Sequence, residues 1–331
     1  MLVIIIMNAM KKLLLLLLLS PLFLTAQIGM TLQHKNPFFS TWDTTILSTG
    51  STGADTVQLP LLSSGGFYNF NVDWGDGNSS NVTNATLINA THQYSIAGVY
   101  TITVVGLLNG WAFANRGDRL KILDISQWGD LKGAGASAFL GCSNLDVSAI
   151  DALDVSGITD FSSQFHGCSS LTRLDVSTWD VSQGTNFFFQ FRLCTSLTSL
   201  DVSNWDVSQG TDFTGQFIVC SLFTTIDVSA WDVSQGTHFG GQFWGCSSLT
   251  NLDVSAWNVS QAVNLFDFMT GTNMQTVYYD QTLINWEALN LQPGLGINFG
   301  SSTYSLGGAA ETARNNIIAN DGWTITDGGG L

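Results

Sequence analysis

Phe165-His166-Gly167-Cys168-Ser169-Ser170-Leu171-Thr172-Arg173-Leu174-Asp175-Val176-Ser177-Thr178-Trp179-Asp180-Val181-Ser182 returns twenty-six residues later as Phe191-Arg192-Leu193-Cys194-Thr195-Ser196-Leu197-Thr198-Ser199-Leu200-Asp201-Val202-Ser203-Asn204-Trp205-Asp206-Val207-Ser208. The same interval separates Cys142, Cys168, Cys194, Cys220 and Cys246, and Phe139, Phe165, Phe191, Phe217 and Phe243. It also separates Trp179, Trp205, Trp231 and Trp257. Leu123-Asp124-Ile125-Ser126-Gln127-Trp128 is a degenerate earlier unit, and Leu153 replaces Trp in the next. A fixed period of this length describes stacked units, each burying an apolar face against its neighbours. Leu171-Thr172-Arg173-Leu174-Asp175-Val176 fits an L-x-x-L-x-L strand. That pattern predicts Leu171, Leu174 and Val176 inward, with Thr172, Asp175 and Ser177 outward. Phe187 and Phe191 then return along the other side. About six units between Leu120 and Leu283 stack to only ~30 Å, a short solenoid.

Composition agrees with a mainly β chain. The 331 residues include 34 Gly, and only Glu287 and Glu311 among 25 acidic residues are Glu, the helix-favouring acid. Ten basic residues leave a net charge of −15, which opposes nucleic-acid binding and a polybasic membrane-surface role. Lys11 and Lys12, the apolar run Leu13–Leu19 and Ala26 before Gln27 read as a secretory signal peptide. Met10, directly before the lysines, is the expected start. Beyond residue 30 no apolar run approaches the roughly 18 residues of a membrane span.

Phe67-Tyr68-Asn69-Phe70-Asn71-Val72-Asp73-Trp74 alternates apolar with polar, as a half-buried strand does, and Gly75-Asp76-Gly77 supplies a tight turn. With His92-Gln93-Tyr94 and Gly98-Val99-Tyr100-Thr101-Ile102-Thr103-Val104, this stretch resembles a PKD-type immunoglobulin-like β-sandwich. The resemblance implies a spacer or interaction module, with Trp74 in its core and no catalytic role for Asp73, Asp76 or His92. The repeat, in Phe165-x-x-Cys168-Ser169-Ser170-Leu171-Thr172-x-Leu174-Asp175-Val176-Ser177-x-Trp179-Asp180-Val181-Ser182, resembles that of BspA-type leucine-rich surface proteins. Tyr279-Asp280-Gln281-Thr282-Leu283-Ile284-Asn285-Trp286 and Gly322-Trp323-Thr324-Ile325-Thr326-Asp327-Gly328-Gly329 are similar to the ends of such repeat regions.

Together these readings divide the chain into a signal peptide (1–26), a linker (27–40), a PKD-like sandwich (41–112), BspA-type leucine-rich repeats (113–283) and a C-terminal cap (284–331). Ser305 is expected to cap a helix over roughly Ala309–Ala319, and Trp323-Thr324-Ile325 to close the last unit. The resemblance implies a secreted or bacterial cell-surface protein that adheres to an extracellular protein or glycan. It carries over no binding residue.

Each regular row has a structural reading beside a functional one. The five cysteines are expected to be buried thiols, since stacked equivalents about 4.8 Å apart are poorly placed for disulfides and no Cys-x-x-Cys metal spacing occurs. Gln164, Gln190, Gln216 and Gln242 are expected to bond along the stack. The Trp row is expected in the core, the alternative being an exposed sugar-stacking platform. Asp175, Asp201, Asp227 and Asp253 are expected to be solvated or bonded to nearby Ser and N–H groups; Ca²⁺ between units is the sharper reading. The outward rows Thr172, Asp175, Ser177; Thr198, Asp201, Ser203; Thr224, Asp227, Ser229; and Thr250, Asp253, Ser255 form the candidate ligand face. Arg116-Gly117-Asp118 spells an integrin-type tripeptide, or else belongs to a basic patch with Arg119 and Lys121. Competing functions are a structural spacer of an envelope or matrix and, from the Thr row, ice binding. Catalysis is disfavoured: His34, His92, His166 and His238 share no register, and no nucleophile elbow, phosphate loop or zinc motif is present.

Overall fold

Alternation of apolar and polar residues builds the first sheet of the computed structural model, which describes residues 36–85 and 89–331. The signal peptide read over 1–26, and the linker up to residue 35, lie outside the described residues. The described chain is mainly β. In β3 (Phe67–Asp73), Tyr68, Phe70 and Val72 are buried while the residues between them are exposed. β3 pairs antiparallel with β4 (Ser79–Val82) and with β6 (Val99–Asn109), whose Ile102, Val104 and Leu108 face the same core. A Cβ at Gly75, at φ 82°, would collide with the Thr101 carbonyl, so the turn after β3 requires glycine. His92 Nε2 donates to Asp76 at 2.8 Å and stacks on Trp74, clamping that turn. β2 (Thr56–Gln58) and β5 (Thr91–Gln93) form a separate antiparallel pair.

β1 (Phe38–Asp43) lies between β6 and β7 (Ile122–Gln127), antiparallel to both, and β9 (Asp146–Val147) runs parallel to β7. The order β4-β3-β6-β1-β7-β9 therefore carries hydrogen bonding across the boundary expected at 112/113, and β8 (Leu131–Lys132) adds to β6. A buried ion pair secures this passage. Lys121 Nζ lies 3.4 Å from Asp118 and donates to Thr52 Oγ1 and to the Gly53 and Thr56 carbonyls. Asp118 accepts from Thr52 and from the Gln58 N–H. Asp118 is thus internal, which removes the integrin-tripeptide reading, and Lys121 belongs to no surface patch. Losing either partner leaves a buried charge unpaired, at about 3–5 kcal/mol.

From residue 134 onward, positions twenty-six apart lie over one another. Phe161, Phe187, Phe213 and Phe239 stack at 5.3–5.4 Å with rings within 8° of parallel. Trp179, Trp205, Trp231 and Trp257 stack at 5.9–6.1 Å, and Trp205, Trp231 and Trp257 donate Nε1 to the Val176, Val202 and Val228 carbonyls. All four rings are buried, so the sugar-platform reading of this row fails. Gln190, Gln216 and Gln242 each donate to the preceding glutamine's carbonyl, and Gln164 donates to Ala134 O. The five cysteines are free and buried.

Backbone bonding between units is concentrated on the Phe side. Phe187, Phe189, Phe191 and Leu193 donate their N–H groups to Asp212, Thr214, Gln216 and Ile218 in the next unit. These turns need two left-handed residues per unit. Gly141, Gly167, Gly245 and Gly271 fill one of them, whereas Val219 occupies it at φ 57°, a strained choice for a β-branched residue. On the opposite side, Leu171, Leu174 and Val176 are buried as expected, yet no strand forms. Only single parallel bridges join Ser199, Thr225 and Asn251. Two consecutive outward residues, Thr172 and Arg173, break the two-residue alternation, and a turn from Val176 O to Trp179 N follows at once.

Two helices end the described chain. α1 (Thr276–Glu287) crosses the limit expected at Leu283 and buries Tyr279, Thr282, Leu283 and Trp286. Trp286 Nε1 takes the Val254 carbonyl, continuing the tryptophan row from a helix. α2 (Ala309–Asp321) begins at Gly308, not Ser305, because Ser305 donates its N–H and hydroxyl to Asp280. β10 (Gly296–Asn298) and β11 (Thr324–Thr326) pair in parallel beside α2.

Candidate functional site

The side of the stack that lacks strand pairing carries a continuous depression. A concavity of ≈ 480 Å³ runs past Asp201, Asp227 and Asp253 to Tyr278, and a second of ≈ 330 Å³ runs from Ile150 past Arg173 and Asp175. They share Ser199, Leu200 and Asp201, and so form one shallow groove along the stacking direction. Its floor is the buried aliphatic row, and its walls are polar.

The aspartates owe their orientation to local sequence. In each Asp-Val-Ser, the carboxylate turns back onto the serine two residues ahead, the turn that short acidic side chains favour. Asp175 Oδ1 accepts from the Ser177 N–H at 3.0 Å and hydroxyl at 2.7 Å. Asp201 with Ser203, and Asp227 with Ser229, repeat both bonds, and Asp253 accepts the Ser255 N–H. The Ser177 bonds hold the Asp175 carboxyl below its ordinary range. Among the described residues, no cation pairs with any of these four carboxylates. Neighbouring charges about 5 Å apart repel by only ~0.8 kcal/mol in water-like surroundings, which an exposed row tolerates.

Of the predicted ligand face, Asp175, Asp201, Asp227, Asp253 and Ser229 line the groove. Thr172, Thr198, Thr224 and Thr250 are exposed outside that lining, and Ser177, Ser203 and Ser255 are half-buried against their aspartates. Sequence reasoning missed the row Arg173, Ser199, Thr225, Asn251, of which each member lines the groove. Its signal was present, since this position is polar in each of the four units, as Arg173, Ser199, Thr225 and Asn251. Among the described residues, no group of three or more His, Cys, Asp or Glu side chains converges in a way that could hold a metal ion. No helix among them is long and apolar enough to cross a membrane. The histidines are dispersed: His166 accepts from Arg192 at 3.3 Å, and His238 bonds the Thr237 hydroxyl.

Residues 134–235 and, overlapping them, 191–292 are similar to the family described as Mycoplasma protein of unknown function, DUF285. The two overlapping matches fall on the 26-residue units. No curated protein and no solved structure matches the chain.

Proposed function

We propose that this is a secreted or cell-surface binding protein that holds an extracellular protein or glycan in the Asp-lined groove. In this reading the stacked units are a BspA-type leucine-rich-repeat solenoid, preceded by a PKD-like sandwich and closed by a C-terminal cap. The observation that carries it is the groove itself: among the described residues, four carboxylates without a cation partner stand in register along one concave surface. A face maintained by local Asp-Ser turns is rigid before a ligand arrives, which lowers the cost of binding. The reading is of capture rather than catalysis, and the net charge of −15 opposes nucleic acid as a partner.

The test is a binding screen of the exported chain against matrix proteins and glycans, in Ca²⁺ and again in EDTA. Replacing Asp201→Ala and Asp227→Ala together should weaken capture by about tenfold or more. The unfolding midpoint should move little, because both side chains are exposed. Unchanged capture by that variant sinks the groove as the site. A blank screen on folded protein transfers the reading to a structural spacer.

A further inference from the structure

The turns on the Phe side of the stack break their own pattern in two places. One outward column reads Ser162, Phe188, Thr214, Gly240, Phe266, and another reads Leu140, His166, Arg192, Ile218, Trp244. Trp244 is 44% exposed and Phe266 69%, whereas the Trp row in the core is 5% or less. Gly215 and Gly241 lie buried beneath these groups. A Cβ on Gly215 would strike the Phe189 ring and Ile218 Cδ1, and one on Gly241 would meet Ile218 Cδ1 at 3.3 Å and Trp244 Cβ at 3.9 Å. The buried Ile218 side chain therefore packs on two glycines, between Phe189 on one side and the exposed Trp244 on the other.

Arg192 stands at one end of it. Its guanidinium carbon lies 4.7 Å from the Phe189 ring centre, one of its terminal N–H groups reaches His166, and its Nε is buried without a partner. Among the described residues no carboxylate pairs with it, in a chain where acidic residues outnumber basic ones 25 to 10. A buried donor left unbonded is a cost the fold bears to hold this cation flat against a ring. Such a guanidinium matches an anionic group brought by a ligand.

We propose that this face, separate from the Asp groove, binds an acidic carbohydrate, with a sugar ring stacked on the Trp244 indole and a sugar carboxylate on Arg192. A sugar offers an apolar face to an exposed aromatic ring and hydroxyls to the polar groups around it, which suits Trp244 with Arg192 beyond it. Arg192 and Trp244 are two units apart, ~10 Å at strand spacing, so an oligosaccharide rather than a single sugar spans them.

The experiment is calorimetric titration of the full chain with a hyaluronan hexasaccharide, which carries carboxylates, and with chitohexaose, which is neutral. Saturable binding of the acidic sugar only is expected. Trp244→Ala should weaken it by about tenfold, the loss of one stacking contact. Arg192→Gln should remove the preference for the acidic sugar, and the Asp201→Ala, Asp227→Ala double variant should leave affinity unchanged. Phe266→Ala, at a more exposed position, repeats the test of the aromatic face should Trp244→Ala lower the melting temperature. No saturable binding, equal affinity for chitohexaose, or indifference to both aromatic variants overturns the proposal. Loss of binding in the Asp double variant alone would assign the sugar to the groove and overturn it as well.

Discussion

Gln216 makes both of its amide bonds to other glutamines: Nε2 donates to Gln190 Oε1 at 3.1 Å, and Oε1 accepts from Gln242 at 3.3 Å. All four members of the row are fully buried, so each bond stands in place of water. Removing an interior member strands two buried polar atoms, Gln190 Oε1 and Gln242 Nε2. Gln216→Leu should therefore cost about 3 kcal/mol, read from the urea midpoint. Gln242 ends the row, with Phe268 at the next equivalent position, and its Oε1 has no partner. Gln242→Leu deletes that orphan while stranding only one acceptor, so its cost should stay near ~1 kcal/mol. Equal costs at the two positions would mean that the row packs as volume and that its polarity contributes nothing.

At the scale of elements, the last units depend on one carboxylate. Asp327, beyond β11, accepts from the Tyr279 hydroxyl on α1 at 2.6 Å, from Arg314 Nε on α2 at 2.7 Å and from the Gly329 N–H. Burial, and then that carboxylate, push the Tyr279 phenol above its ordinary range, so it remains a donor. Asp327→Ala should cost about 3 kcal/mol and speed hydrogen exchange in β11 and α2 before any change near β3. Uniform exchange would show that these helices do not act as a cap. Much of this architecture was legible in the repeats: the 26-residue register located the buried Phe, Trp, Cys and Gln rows and the outward aspartates. The expected L-x-x-L-x-L strand did not form: two outward residues and an immediate turn interrupt an alternation that β7 keeps only with irregularities of register. α1 is not legible in the sequence although Tyr279, Leu283 and Trp286 lie on one helical face, since Gln275 provides no side-chain cap and the segment resembles a repeat ending. The groove was half legible, through its aspartates. The exposure of Trp244 was not, because composition cannot tell a tryptophan outside the buried register from one within it.

Taken as a whole, Asn36–Leu331 is one compact unit, and among the described residues the largest sheet crosses from the first strands into the repeats. The sheet built on β3 and β6 passes through β1 and β7 to β9, and the Phe and Trp rows continue from there to α1. Stacked units interact with their nearest neighbours, so long arrays lose cooperativity, but a short stack tied to a sheet at one end and helices at the other should unfold in a single step. The cysteines report on this from inside. Cys168, Cys194, Cys220 and Cys246 donate their S–H groups to the carbonyls of Phe139, Phe165, Phe191 and Phe217. Burial raises the five thiols, that of Cys246 to about 12, so almost no thiolate exists in the folded protein at neutral pH. Iodoacetamide should label none of them in the native state and all of them in concentrated guanidinium. Along a denaturant series, their labelling should follow the loss of the strand signal in circular dichroism with one midpoint. Labelling of Cys220 and Cys246 at lower denaturant than Cys142 would place a break within the stack and end the one-step account. The carboxylate rows lie outside this core, so neutralising them by mutation should lower that midpoint only slightly, by the loss of their turn bonds to Ser177, Ser203 and Ser229.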